Sequence, residues 1–190
     1  VVHFDYLIYY WFFYETINMA GVHNLPIIFT VQNNQFAYSS PNETEFGTPN
    51  VADRGLGYGI ESVIIDGNNI YEVINTMHKA RKKASSGKGP TLIELVTFRH
   101  YGHAGHDPAE YVGDEVREFW MDRDPIARFE DSLSTEGLFT EGDFTTLTEK
   151  IDAEVRETLE WAKNQDDPNP EEEIQDIFQT RSTPVATNDG

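Results

Sequence analysis

Two stretches hold most of the side chains that could do chemistry. In QNNQFAYSSP, residues 32–41, adjacent Asn33 and Asn34 directly follow a run of apolar residues. Their amide oxygens and the neighbouring backbone carbonyls are hard donors, which suit magnesium in company with a carboxylate and a ligand phosphate. The same pair is also ordinary turn chemistry after a strand. In RHYGHAGHDP, residues 99–108, three of the chain's six histidines, His100, His103 and His106, stand beside Arg99 and Asp107. Arg99, imidazole N–H groups and backbone amides exposed by Gly102 and Gly105 are suitable partners for a phosphate-like anion. Zinc is the weaker reading, because two glycines argue against a helix presenting the histidines on one face and a fourth ligand is not evident. A solvated loop is the bland alternative. A third feature is Asp5, a lone carboxylate in VVHFDYLIYYWFFYE, where eight of the fourteen residues before Glu15 are aromatic.

The elements that must position these residues can be read from periodicity. Residues 9–21 read as a helix, with Trp11, Tyr14, Ile17 and Asn18 at helical spacing and Gly21 to end it. LPIIFTVQ gives a buried strand from Pro26 to Gln32, SVIID a second at 62–66, and TLIELVTF a third at 91–98. PNVADRGLGYG, 49–59, reads as a short helix broken by glycines. Asn68 or Asn69 can cap a helix whose apolar positions are Ile70, Val73, Ile74, Met77, Ala80 and Ala84, with a basic last turn before Ser-Ser-Gly. Strands alternating with helices at this spacing predict an α/β fold with a parallel sheet and flanking helices. Beyond Arg99 a glycine- and proline-containing loop leads to helical segments near 113–121, 125–134 and 141–164. The expected organisation is an α/β domain over 1–135, a helical C-terminal extension over 136–166, and an acidic, proline-containing tail or linker over 167–190.

Bulk composition sets limits. A length of 190 residues suits one main domain, and 38% hydrophobic with 25% charged residues is a globular composition. The net charge of −19 argues against nucleic acid as a partner, because backbone binding depends on Lys and Arg. Residues 136–190 carry 4 basic against 15 acidic side chains, so the acidity is mainly C-terminal. The apolar stretch 6–14 is too short to span a bilayer, which takes about 20 residues, and no membrane association is expected. There are no cysteines, which excludes disulfides, thiolate metal sites and cysteine nucleophiles.

Six collinear segments carry a family resemblance: FYETINMAGVHNLPIIFTVQNNQFAYSSP, NVADRGLGYGI, IIDGNN, GPTLIELVTFR, GHAGHDP and FWMDRDPIARF. Together the chain resembles the alpha subunit of the thiamine-diphosphate-dependent, decarboxylating component of 2-oxo acid dehydrogenase complexes. The likeness is dense from about Phe13 to Leu133 and looser to about Phe178. Pyruvate, branched-chain 2-oxo acid and acetoin dehydrogenases share the pattern.

In that family a Gly-Asp-Gly motif opens the cofactor-binding segment and Asn-Asn closes it. The resemblance therefore implies magnesium held by Asp5, Asn34 and the backbone carbonyl of Phe36. It implies thiamine diphosphate bound by Asp5, Tyr6, Leu7, Asn34, Phe36 and His103, with His103 also the catalytic candidate. The 29 residues from Asp5 to Asn34 match the family spacing. The fold implied is the thiamine-diphosphate-binding fold, here without the N-terminal portion that precedes the motif in family members. The activity implied is oxidative decarboxylation of a 2-oxo acid with acyl transfer to a lipoyl group. The partners implied are a beta subunit, or a fused beta portion, in a heterotetramer, and a lipoyl-bearing acyltransferase. A cytoplasmic location is expected, or the mitochondrial matrix if the source is eukaryotic.

The sequence departs from the pattern at Phe4 and Tyr6, which stand where the motif has glycines. Glycine permits positive φ and close approach of backbone to phosphate, whereas an aromatic ring would fill ligand space. The alternative expectation is a non-catalytic, truncated or degenerate alpha-like chain that binds a beta partner without cofactor. In some relatives serines in the His103 loop are phosphorylated as an off switch. Ala104 and His106 stand there instead, so no such regulation is expected.

Overall fold

The computed structural model describes residues 2–4, 11–167 and 169. Asp5, Tyr6 and Leu7, the first residues of the expected helix 9–21, and the tail from residue 170 onward lie outside the described residues. The chain divides into two compact units, 1–139 and 140–190.

In the first unit, β1 (Val2–Phe4), α1 (Trp11–Val22) and β2 (Ile28–Asn33) are followed by a two-residue hairpin, β3 (Phe36–Ala37) and β4 (Ser40–Pro41). Two single-turn helices, α2 (Asn42–Glu45) and α3 (Arg54–Gly57), lead into β5 (Glu61–Asp66), α4 (Ile70–Ser85) and β6 (Thr91–Val96). The unit closes with α5 (Asp114–Met121) and α6 (Pro125–Thr135). The second unit holds α7 (Glu141–Lys163), opened by a capping box in which Thr140 and Asp143 satisfy each other's backbone N–H groups.

The main sheet is parallel throughout, in the order β1-β2-β6-β5. The expected α/β class and all three strands read from sequence are present, with ends shifted by one or two residues. The chain crosses from β1 to β2 in one direction along the sheet and returns from β5 to β6 in the other. Right-handed crossovers then place α1 and α4 on opposite faces. The core bears this out. Phe13, Ile17 and Ala20 of α1 pack on Phe29, Val31 and Leu92, while Ala80 of α4 packs on Ile28, Ile65 and Ile93.

Two expectations shift in detail. The buried stripe of α1 is Phe13, Ile17 and Ala20, whereas Trp11 is 70% exposed and Asn18 faces solvent. The start of this helix is aromatic nearly all round, so hydrophobicity could not set its phase. Close approach at its C-terminal end does so, because a Cβ on Gly21 would lie 2.9 Å from the Tyr58 carbonyl oxygen. On α4, Val73, Met77, Ala80 and Ala84 are the more enclosed positions, while Ile70 and Ile74 are substantially exposed. Asn69 rather than Asn68 is the cap, its side chain accepting the Glu72 N–H. Asn68 is instead buried, donating to the Arg123 carbonyl and accepting from Thr97.

Candidate functional site

In an open α/β sheet the ligand crevice lies beyond the carboxyl ends of the strands, where the direction of winding reverses. Here that point falls between β2 and β6. The segments leaving these two strands are QNNQFAYSSP and RHYGHAGHDP, the stretches that carry the candidate chemistry. β1, which ends at Phe4, is the parallel neighbour of β2 on its other side, with Phe4 paired to Val31.

The loop after β2 is built from amide hydrogen bonds. Asn33 Oδ1 accepts from the Gln35 backbone N–H at 3.2 Å, from Asn42 Nδ2 at 2.6 Å and from Gln35 Nε2 at 3.3 Å. Asn34 Oδ1 accepts the Phe36 N–H at 3.2 Å. Gln35 between them sits at φ +74, a left-handed conformation unusual for a residue with a Cβ. Such outliers cost free energy and persist where surrounding bonds over-determine them.

Two donors in this loop are of a kind that suits magnesium. Asn34 Oδ1 is an sp² oxygen with two acceptor lone pairs, one of which is used by Phe36 N–H. Phe36 and Pro41 are a non-hydrogen-bonded pair of the hairpin, next to the bond from the Asn42 N–H to the Gln35 carbonyl, so the Phe36 carbonyl, like its N–H, points away from β4. Both are hard oxygen ligands of the class magnesium prefers. Asp5, the third ligand implied by the resemblance, lies outside the described residues, as do Tyr6 and Leu7.

The loop after β6 is organised by Asp107. Its Oδ2 accepts the His103 backbone N–H at 2.7 Å and the Tyr111 hydroxyl at 2.8 Å, and its Oδ1 accepts the Ala109 N–H at 2.9 Å. The Ala109 N–H, then the His103 N–H, hold the Asp107 carboxyl below its usual 3.8, with smaller help from Tyr111 and Arg99 against the opposing effect of burial. Burial first, and then the bond to Asp107, push the Tyr111 hydroxyl above its usual 10.0. Gly102 is required here: a Cβ on it would run into the Asp107 backbone, 2.7 Å from the carbonyl carbon.

The two loops are joined. Arg99 Nη2 donates to the Tyr38 carbonyl at 2.7 Å and to the Tyr111 hydroxyl at 2.6 Å, and Nε donates to the Tyr101 carbonyl at 3.0 Å. The guanidinium offered by sequence to an anion is thus engaged in tying the loop after β6 to the hairpin. The His103 ring meets the Tyr38 ring edge-on at 5.0 Å, and Phe36 packs against Phe98 and Tyr111. The structure therefore brings Phe36 and its neighbour Asn34 into one constellation with the loop bearing His103. A cavity of about 510 Å³ opens on that loop, lined by His100, His103, Asp107 and Arg117 among others.

The three histidines face different neighbours. His100 Nδ1 lies 3.0 Å from Met121 Sδ, His103 is against Tyr38, and His106 is exposed. Among the described residues no group of three His, Asp or Glu side chains could hold a metal ion.

Glu94 was not singled out from sequence. It is 0% exposed in the middle of β6, and its two oxygens accept Asn33 Nδ2 at 2.6 Å and the Ala52 N–H at 2.8 Å. The available signal was one carboxylate inside TLIELVTF, an otherwise uncharged strand, since glutamate is almost never fully buried without partners.

Among the described residues no helix is long and apolar enough to cross a membrane. Residues 12–171 match the family model described as dehydrogenase E1 component. The chain is 36% identical to the pyruvate dehydrogenase E1 component subunit alpha of Bacillus subtilis over 87% of its own length and 44% of that protein. It is 34% identical to the 2-oxoisovalerate dehydrogenase subunit alpha of the same organism, over 87% of its own length and 51% of that protein. It thus spans about half the length of these relatives. A transketolase structure from Pichia stipitis aligns with 84% of the chain and 27% of its own, at a TM-score of 0.43 and 18% identity. With the family model covering most of its residues, this chain belongs to the dehydrogenase E1 component family.

Proposed function

We propose that the chain is the alpha-subunit part of a 2-oxo acid dehydrogenase, which decarboxylates a 2-oxo acid with thiamine diphosphate and Mg²⁺ and passes the acyl unit to a lipoyl group. The observation that carries this reading is the junction of two loops at the winding reversal of the sheet, one offering Asn34 and the Phe36 carbonyl and the other His103. Asn34 Oδ1, the Phe36 carbonyl and Asp5 would hold magnesium. Tyr6 and Leu7 would complete the cofactor segment, and His103 would donate to the diphosphate. Bound thiamine diphosphate would supply the stabilisation of the carbanion left when carbon dioxide departs. Arg99 and Tyr38 keep the two loops in register, and Asp107 holds the His103 backbone while the His103 ring lies against Tyr38. The partners are a beta subunit, separate or fused, which would complete the active site, and a lipoyl-bearing acyltransferase.

The second reading, a chain that binds a beta partner without cofactor, is favoured by Phe4 and Tyr6 at the motif glycines. The test is release of carbon dioxide from pyruvate and from branched-chain 2-oxo acids by the full chain reconstituted with a beta partner. Release that depends on thiamine diphosphate and Mg²⁺ is expected. A complex that assembles yet releases none would replace the first reading with the second.

A further inference from the structure

Val31 and Glu94 are directly paired across β2 and β6, and Asn33 lies two residues beyond Val31, so Glu94 and Asn33 are diagonal neighbours on one face of the sheet. The Glu94 carboxylate is fully enclosed, and the two donors it receives are an amide and a backbone N–H. Burying a carboxylate in this way is costly, and its retention inside a strand calls for a physical reason. The bonds it organises supply one. With Asn33 Nδ2 held by Glu94 at 2.6 Å, the side-chain amide can turn only one way, with Oδ1 toward the loop. That oxygen gathers the Gln35 N–H, Gln35 Nε2 and Asn42 Nδ2, which hold Gln35 at φ +74 between Asn34 and Phe36.

From this chain of contacts we infer that Glu94 is a positioning residue for the metal and diphosphate loop. Through Asn33 it fixes the turn that presents Asn34 Oδ1 and the Phe36 carbonyl. Through the Ala52 N–H it ties the same point to the segment preceding α3. The inference rests on the magnesium and cofactor reading given under Proposed function.

A paired substitution separates positioning from general support of the core. Glu94→Gln keeps the shape but turns one acceptor into a donor, so the Ala52 N–H and the Asn33 amide cannot both be met. Adding Asn33→Asp reverses that one bond: Gln would donate to Asp, Gln would still accept from Ala52, and Asp would still accept from Gln35 and Asn42. Two readouts apply to the full chain with its beta partner, namely calorimetric affinity for Mg²⁺ with thiamine diphosphate and hydrogen-exchange protection of the Gln35, Phe36 and Ala52 amides. Glu94→Gln is expected to weaken cofactor binding about 10-fold, the lower end of what loss of a bond orienting a metal ligand does, because Asn33 stands one residue before the ligand, and to lower protection at Gln35 and Phe36. The double variant is expected to restore protection and most of the affinity. Wild-type affinity in Glu94→Gln, or a double variant no better than the single one, would overturn the inference. Absence of cofactor binding by wild type, with the exchange rescue intact, would overturn the cofactor reading and the positioning role with it, leaving Glu94 as a clamp on the loop alone.

Discussion

The loops after β2 and β6 are each organised around a carboxylate, but in opposite settings. Glu94 is sealed inside the sheet and orders the first loop from beneath, through a side-chain amide. Asp107 lies within the second loop, near solvent, and gathers two backbone N–H groups and a phenol itself. A buried acceptor with fixed donors gives rigidity at a high cost if one partner is lost, whereas a loop carboxylate near solvent makes local order depend on pH.

The largest effect should come from the buried side. Glu94→Ala strands the Asn33 amide and the Ala52 N–H in the interior, and about 3 kcal/mol of unfolding free energy should be lost in urea titration. Gly102→Ala should be next, costing about 2 kcal/mol because its Cβ meets backbone rather than a side chain that can turn away. Its damage should stay within residues 99–112 in hydrogen exchange, and a spread into β2 would show that the two loops are one cooperative piece. Tyr111→Phe removes a hydroxyl that accepts from Arg99 and donates to Asp107, at a cost of about 1 kcal/mol.

The smallest effect at neutral pH, and the most diagnostic, concerns titration. Asp107 has its folded value below 3.8, so its contribution is present above 3.8 and is lost as pH falls through the folded value. Tyr111 has its folded value above 10.0, so its contribution is whole below 10.0 and is lost as pH rises toward and past the folded value. Order in the second loop, followed by the local hydrogen-bond shifts of the His103 and Ala109 amides, should therefore hold on a plateau between those limits. Asp107→Asn should remove the acid limb and Tyr111→Phe the alkaline one. An acid limb that survives Asp107→Asn would assign it to another group.

Three of the four strands of the main sheet were legible as short apolar runs between clear turn signals, whereas β1 was not read, and α4 was legible from its apolar spacing and an asparagine cap at 68 or 69, the cap being Asn69. Asn34, Phe36 and His103 were reached through collinear motifs rather than through any local signal strong enough by itself. Three further features were not legible. The β3–β4 hairpin has two residues per strand, too few to show alternation, and it is held by Arg99, about sixty residues away in sequence. The buried face of α1 could not be phased in a helix opening on four aromatic residues. Glu94 could be placed only once the register of β2 against β6 was known, because the residue it orients is 61 positions distant.

The proposed function makes the loops leaving β2 and β6 one site for magnesium and a diphosphate. It is tested most directly by calorimetric titration of thiamine diphosphate, with Mg²⁺ present and absent, into the full chain joined to its beta partner. Mg²⁺-dependent, saturable heat is expected, which Asn34→Ala weakens severely while the complex stays assembled. No heat from the wild-type complex, or heat that Asn34→Ala leaves unchanged, would contradict it.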